Sequence, residues 1–167
     1  MIQRIQSLLL FIAAAISVVV CFINVGHIDQ QVGGELVKYY QFDSFTLQKL
    51  DSNNQLVSVM HTTYIALLWI ASAILSLVTI FFYKKRTLQI RLNGINMLVM
   101  LAALVVMLYV YPNLVFEKQE WFKQGMMVNF NYWITMSLVP AVCLFFANRA
   151  IKSDETKVRS ADRKSVV

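Results

Sequence analysis

Four stretches of this chain carry no charged side chain, and each is long enough to cross a lipid bilayer. Positions 5–28, 52–83, 92–116 and 124–148 run for 24, 32, 25 and 25 residues without Asp, Glu, Lys or Arg. An α-helix rises about 1.5 Å per residue, so about 20 apolar residues cover roughly 30 Å of hydrocarbon. The pattern predicts an all-α membrane protein, a bundle of four transmembrane helices. They fall at about 5–26, 62–83, 92–111 and 128–148, with an outer loop at 27–61 and a tail at 149–167.

Composition agrees with that reading. Of 167 residues, 58% are hydrophobic and only 14% charged, and the mean hydropathy is +0.59. A soluble domain carries about a quarter charged residues. Four spans use about half the chain. The rest forms loops and a tail within a single membrane domain, with no room for a separate soluble enzyme domain.

The net charge of +6 and pI near 9.4 do not point to nucleic acid, because the basic residues sit where membrane topology puts them. With the N-terminus inside, the inner side holds Arg4, the Lys84-Lys85-Arg86 and Arg91 connection, and six tail residues: Arg149, Lys152, Lys157, Arg159, Arg163 and Lys164. The outer side holds Lys38, Lys49, Lys118 and Lys123. Eleven against four places both termini in the cytoplasm. The first span has a positive start but no small-residue cleavage site, so it reads as an uncleaved anchor. Cys21 and Cys143 fall near opposite ends of their helices. Their axial offset of about 15 Å exceeds disulfide reach within one chain.

In the outer loop, positions 36–47 are rich in aromatic and β-branched residues, Asp51-Ser52-Asn53-Asn54 is a turn cluster, and Leu56-Val57-Ser58-Val59 resumes the strand pattern. This predicts a small β-hairpin. A lone hairpin is marginal in water, so it should pack on the second outer loop, on lipid or on a partner. The second outer loop, 112–127, places Trp121 and Phe122 among charges and reads as a short interfacial helix. Trp121, Trp133, Tyr109, Tyr111 and Tyr132 form an aromatic belt at the outer boundary. Pro140 in the fourth span predicts a kink that frees the Met136 carbonyl, read as a static bend ahead of the alternative of a functional hinge. Beyond Arg149, the spacing of Ala147, Ile151 and Val158 and an i,i+4 pair of Glu155 with Arg159 predict that the last helix runs on past the membrane.

The expected spans contain no Asp, Glu, Lys or Arg, which counts against a pump or a proton-coupled carrier. The chemical candidates are His27 and His61, expected at the outer ends of helices one and two. Facing imidazoles can hold a haem, but a boundary position wet by water explains them better. No catalytic motif, metal-ligand spacing or phosphate loop is present. The outer carboxylates Asp29, Glu35, Asp43 and Asp51 read as a solvated loop. The expectation is a non-enzyme without a cofactor.

Three segments carry a family resemblance: Met1-Ile2-Gln3-Arg4-Ile5-Gln6, Leu88-Gln89-Ile90-Arg91-Leu92, and the closing run from Asn148-Arg149-Ala150-Ile151-Lys152 through Asp154-Glu155 to Val158-Arg159-Ser160-Ala161-Asp162-Arg163. Together they resemble an uncharacterised four-helix inner-membrane family of Bacteroidota, a domain-of-unknown-function family, over essentially the whole chain. The resemblance implies fold, topology and a bacterial inner-membrane location, and no activity. The layout is also similar to claudin-like proteins in architecture, without their outer-loop cysteine pair and Trp motif.

The leading expectation is therefore a non-enzymatic accessory or scaffold subunit of a membrane complex. Its contacts with anionic headgroups, another membrane protein or a cytoplasmic partner run through Lys84, Lys85, Arg86, Arg91, Arg149, Arg159, Asp162 and Arg163. The alternative is a passive channel or transporter, formed as an oligomer, with a polar track through Ser17, Ser72, Ser76, Asn93 and Ser137. The third reading is a haem or quinone protein.

Overall fold

Gln6, Leu10, Ala13, Ser17 and Val20 recur at steps of four and three residues, and the helix that carries them buries all five. The same steps recur in every long helix of the computed structural model, which describes residues 2–32, 35–50, 55–110 and 126–164. Helix α1 spans Ile2–Phe22, α2 Thr63–Phe81, α3 Arg86–Val105 and α4 Leu138–Lys164. The seam of α2 is Ile65, Trp69, Ser72, Ser76 and Thr79. That of α3 is Gln89, Asn93, Asn96, Met100 and Ala103, continued by buried Met107 in a π-helical turn, Val106–Val110. In α4 it is Pro140, Leu144, Ala147 and Ile151, prefaced by Ser137 of a 3-10 turn, Tyr132–Ser137. A repeat averaging 3.5 residues keeps one narrow stripe facing a partner, the rule of coiled-coil and four-helix packing. Accordingly α1 packs on α2 and α4, and α3 packs on the same two.

The seams mix small and polar residues with large apolar ones such as Leu10, Trp69, Met100 and Leu144, and the outward faces are apolar. Ser17, Ser72, Ser76, Asn93 and Asn96 are buried, whereas Phe11, Leu67, Ile74, Leu98, Phe145 and Phe146 are exposed, and Phe81 reaches 80% exposure. In water this arrangement would be inverted. In lipid it is favourable, because helices there associate through close contact of small residues and hydrogen bonds rather than by hiding apolar surface. Four segments, Ile5–Phe22, Thr63–Phe81, Arg86–Tyr109 and Tyr132–Val158, are long and apolar enough to cross a membrane.

At one end the bundle carries a five-stranded antiparallel sheet: β1 Gly26–Val32, β2 Glu35–Phe42, β3 Thr46–Leu50, β4 Leu56–His61 and β5 Met126–Phe130, in the order β4-β3-β2-β1-β5. The expected lone hairpin is thus an underestimate. The outer loop supplies four strands, and β5 comes from the chain just before α4. Cross-strand partners share a face, which puts Ile28, Tyr40, Phe42 and Leu47 together on the side buried against the helices. Asp43 shapes the β2–β3 turn. Its carboxylate Oδ1 accepts from the backbone N–H of Phe45 at 2.8 Å and of Thr46 at 2.7 Å, an Asx turn. That turn is fastened to the bundle, because Phe45 carbonyl accepts from Thr62 N–H at 2.7 Å and Ser44 carbonyl from Ala66 N–H at 3.2 Å.

Other boundaries differ from the sequence reading. Strand β1 takes over at Gly26, so α1 ends at Phe22. Helix α3 begins at Arg86, not near 92, so Asn93 and Asn96 lie inside it rather than at its start. Residue 128 belongs to β5, not to the fourth helix. Pro140 sits in the first turn of α4, where a missing N–H is tolerated, so no mid-helix kink arises. The Ser137 hydroxyl donates to the Ile134 carbonyl rather than to that of Met136. Both cysteines are free thiols. The turn cluster 51–54, the expected interfacial helix and the belt residues Tyr111 and Trp121 lie outside the described residues. The other belt residues, Tyr109, Tyr132 and Trp133, are exposed near the sheet end, Tyr132 at 77%.

Candidate functional site

The end of the bundle opposite the sheet gathers the basic residues. Helices α2 and α3 meet there in a tight turn, with Lys85 N–H donating to Phe82 carbonyl at 2.9 Å and Lys85 carbonyl accepting from Gln89 N–H at 3.0 Å. Lys84, Lys85, Arg86, Thr87, Leu88 and Arg91 line an open basin of about 460 Å³ around it. Lys84, Lys85 and Arg91 are exposed, and the Lys84 ammonium lies 5.8 Å from the centre of the Tyr83 ring.

Arg86 is different from its neighbours. Its guanidinium pairs with the Asp154 carboxylate at 3.3 Å and also donates to the Asp154 backbone carbonyl at 3.2 Å. Thr87 hydroxyl reaches Glu155 Oε1 at 3.5 Å. Arg86 is therefore an internal clamp rather than a free contact residue. It holds the continuation of α4 against the start of α3. A partly buried pair of this kind contributes about 1 kcal/mol. Above the clamp, Ala147 and Ile151 remain in the buried seam. Below it, Val158 is 42% exposed and does not continue the seam. The fourth helix thus runs on to Lys164 as a projecting rod.

On the outer face of α4 just before the clamp, Arg149 and Lys152 are exposed, and with Phe145 and Asn148 they line a second, smaller basin of about 250 Å³. The backbone of Arg159, Asp162 and Arg163 is helical, and their side chains lie outside the described residues. The structure brings Lys84, Lys85, Arg86 and Arg91 together, with Arg149 on the neighbouring helix.

The polar track considered for a channel is closed. Ser17, Ser72, Ser76 and Asn93 are 0% exposed. The Ser72 hydroxyl donates to Asn96 Oδ1 at 2.7 Å, and Asn96 Nδ2 donates to Ser76 Oγ at 2.7 Å. Asn93 Nδ2 donates to the Leu144 carbonyl at 3.0 Å, and Gln89 Nε2 to the Thr79 carbonyl at 3.3 Å. Ser17 returns its hydroxyl to Ala13 carbonyl, one turn back. Apart from Ser17, whose bond stays within α1, these groups fasten helices to one another. Asn96, Gln89 and Thr79 were not among the sequence candidates. The signal that finds them is the four-and-three spacing.

The two histidines do not face each other from helix ends. His27 lies in β1 and His61 ends β4, with β2 and β3 between them. Three strand spacings of about 4.8 Å and two residues along β4 separate them by roughly 16 Å. The register through Gln41, Gln48 and Val59 puts both on one surface of the sheet, so they cannot close on opposite faces of a haem. His27 instead stands 3.5 Å from Asp29, which accepts from Asn129 Nδ2 at 2.6 Å. That trio ties β5 to β1. Among the described residues, no three His, Cys, Asp or Glu side chains gather as a metal site.

A family model described as a domain of unknown function, DUF4293, matches residues 2–163. No curated protein matches the chain. With nearly its whole length matched, the chain belongs to the DUF4293 family.

Proposed function

We propose that this member of the family is a non-enzymatic scaffold or accessory subunit of a bacterial inner-membrane complex, with both termini in the cytoplasm. The observation that carries the reading is the clamped rod. Arg86 and Asp154 fix α4 where it leaves the packed bundle, which presents Arg149 and Lys152 just before the clamp and Lys157 just beyond it on one rigid helix. A helix fixed in this way loses less entropy on docking than a free tail would. The excess of Lys and Arg at this end of the bundle supports a cytoplasmic orientation. The sheet offers a second contact surface on the opposite side of the membrane. The interior is occupied by interlocked Ser and Asn side chains, so no passage runs within one bundle. A pore between copies would need polar outward faces, whereas Leu, Ile, Val and Phe make up most of the large side chains exposed on the described helices.

Purification of the tagged chain from its native membrane in mild detergent tests this. A stoichiometric partner should co-purify, and Arg149→Glu with Lys152→Glu and Arg159→Glu should release it while the protein stays in the carbonate-washed membrane. A partner retained by that variant, or none captured in any mild detergent, would refute the proposal.

A further inference from the structure

Arg91 poses a problem that its surroundings do not solve. It lies within the Arg86–Tyr109 segment that is apolar enough to span a bilayer, yet its side chain is exposed on the outside of the bundle. A guanidinium at membrane depth needs an anion or a route to the headgroups. Among the described residues no carboxylate stands within ion-pair distance of Arg91, Lys84 or Lys85, and Asp154 is already held by Arg86. The same basin is lined by Leu88, which is also exposed. Cations and an apolar side chain therefore share one surface.

The spacing adds a vertical dimension. Six residues of helix put Arg91 about 9 Å further along the axis than Lys85. We propose that this basin binds the phosphate of an anionic membrane lipid, with Lys84 and Lys85 above it, Arg91 reaching up from below, and the acyl chains lying along Leu88. The proposal rests on the reading that the chain spans a membrane. It goes further in narrowing the expected headgroup contact to one phosphate in one basin, with Arg86 set apart as a clamp, and it assigns Arg91 a binding role rather than a purely topological one.

The test is native mass spectrometry of the full chain in detergent micelles, titrated with phosphatidylglycerol or with phosphatidylcholine of the same acyl chains. Membrane orientation plays no part in micelles, so a topological role alone gives no preference between the lipids. A cation near a membrane surface strengthens binding of an anionic lipid about fivefold. The unaltered protein should prefer phosphatidylglycerol about a hundredfold. Each of Lys84→Gln, Lys85→Gln and Arg91→Gln should weaken that binding about fivefold, and all three together should abolish the preference. A charge-keeping variant (Lys84→Arg, Lys85→Arg, Arg91→Lys) should retain it.

Equal binding of the two lipids, or a preference that survives the triple change, would overturn the proposal. Displacement of the lipid by millimolar inorganic phosphate would also overturn it, since the site would then serve a soluble anion. If the triple variant loses its helical circular dichroism, the Arg91→Gln titration alone decides. Release of the chain by alkaline carbonate would defeat the membrane reading separately, whatever the lipid titration gives.

Discussion

Replacing Asn96 with Ala measures directly how the bundle is held together. Asn96 is fully buried, accepts from Ser72 and donates to Ser76, both at 2.7 Å. Side-chain hydrogen bonds between helices in lipid average about 0.6 kcal/mol, with about 1.7 as the upper end. Two bonds therefore predict a loss of roughly 1.2 to 3.4 kcal/mol. The low half is favoured because the two serines have a fallback. A Ser or Thr hydroxyl in a helix can turn to the carbonyl one turn back, as Ser17 and Thr79 already do here. The assay is reversible unfolding in mixed micelles titrated with dodecyl sulfate, followed by circular dichroism. The midpoint should fall with the slope unchanged. Double-mutant cycles of Asn96→Ala with Ser72→Ala and with Ser76→Ala should each give a coupling of about 0.6 to 1.7 kcal/mol. Coupling near zero in both cycles would refute the argument that this polar triad fastens α2 to α3.

Gly26→Ala should unseat the sheet, because an added Cβ would lie 2.7 Å from the backbone carbonyl of Asn129 in β5; overpacking of this kind costs about 1–3 kcal/mol, read as a lower thermal midpoint in detergent. Gly94→Ala should do the opposite, since its Cβ would meet nothing within 4 Å in the middle of α3. It should gain up to about 1 kcal/mol of helix propensity and raise the melting temperature by about 3 °C. Asp154→Asn should leave the global midpoint within about 1 kcal/mol. It should nevertheless speed trypsin cleavage at Lys152 and Lys157, since it loosens the rod; unchanged cleavage would show that the clamp does not hold it.

What the sequence discloses is set by the range over which each signal acts. Charge-free length is a property of the chain itself, so four helices were legible, and so was their extension into the tail. The seam was equally legible, because Gln89, Asn93, Asn96, Met100 and Ala103 keep their steps through the polar stretch. Taking charge as the boundary obscured this, since Arg86 and Arg91 belong to α3 and not to the loop before it. Strand number was harder. Gly33-Gly34 is a turn signal in the sequence, whereas the Asp43 turn depends on hydrogen bonds that only the fold supplies. Pairing of β5 with β1 is not local at all, and nothing in Met126–Phe130 names its partner. The basic cluster was found from composition, but its division into a clamp and free cations needed Asp154 beside Arg86.

Strand β1 lies between β2 and β5, and Asn129 bonds to Asp29 from 100 residues away. The ribosome therefore delivers β1 long before the strand that covers its far edge. Until the second half of the chain has been made, a row of main-chain donors and acceptors stands open to any passing strand. Biogenesis of this protein must bridge that interval, and a nascent chain halted before Met126 would be the form most prone to self-association.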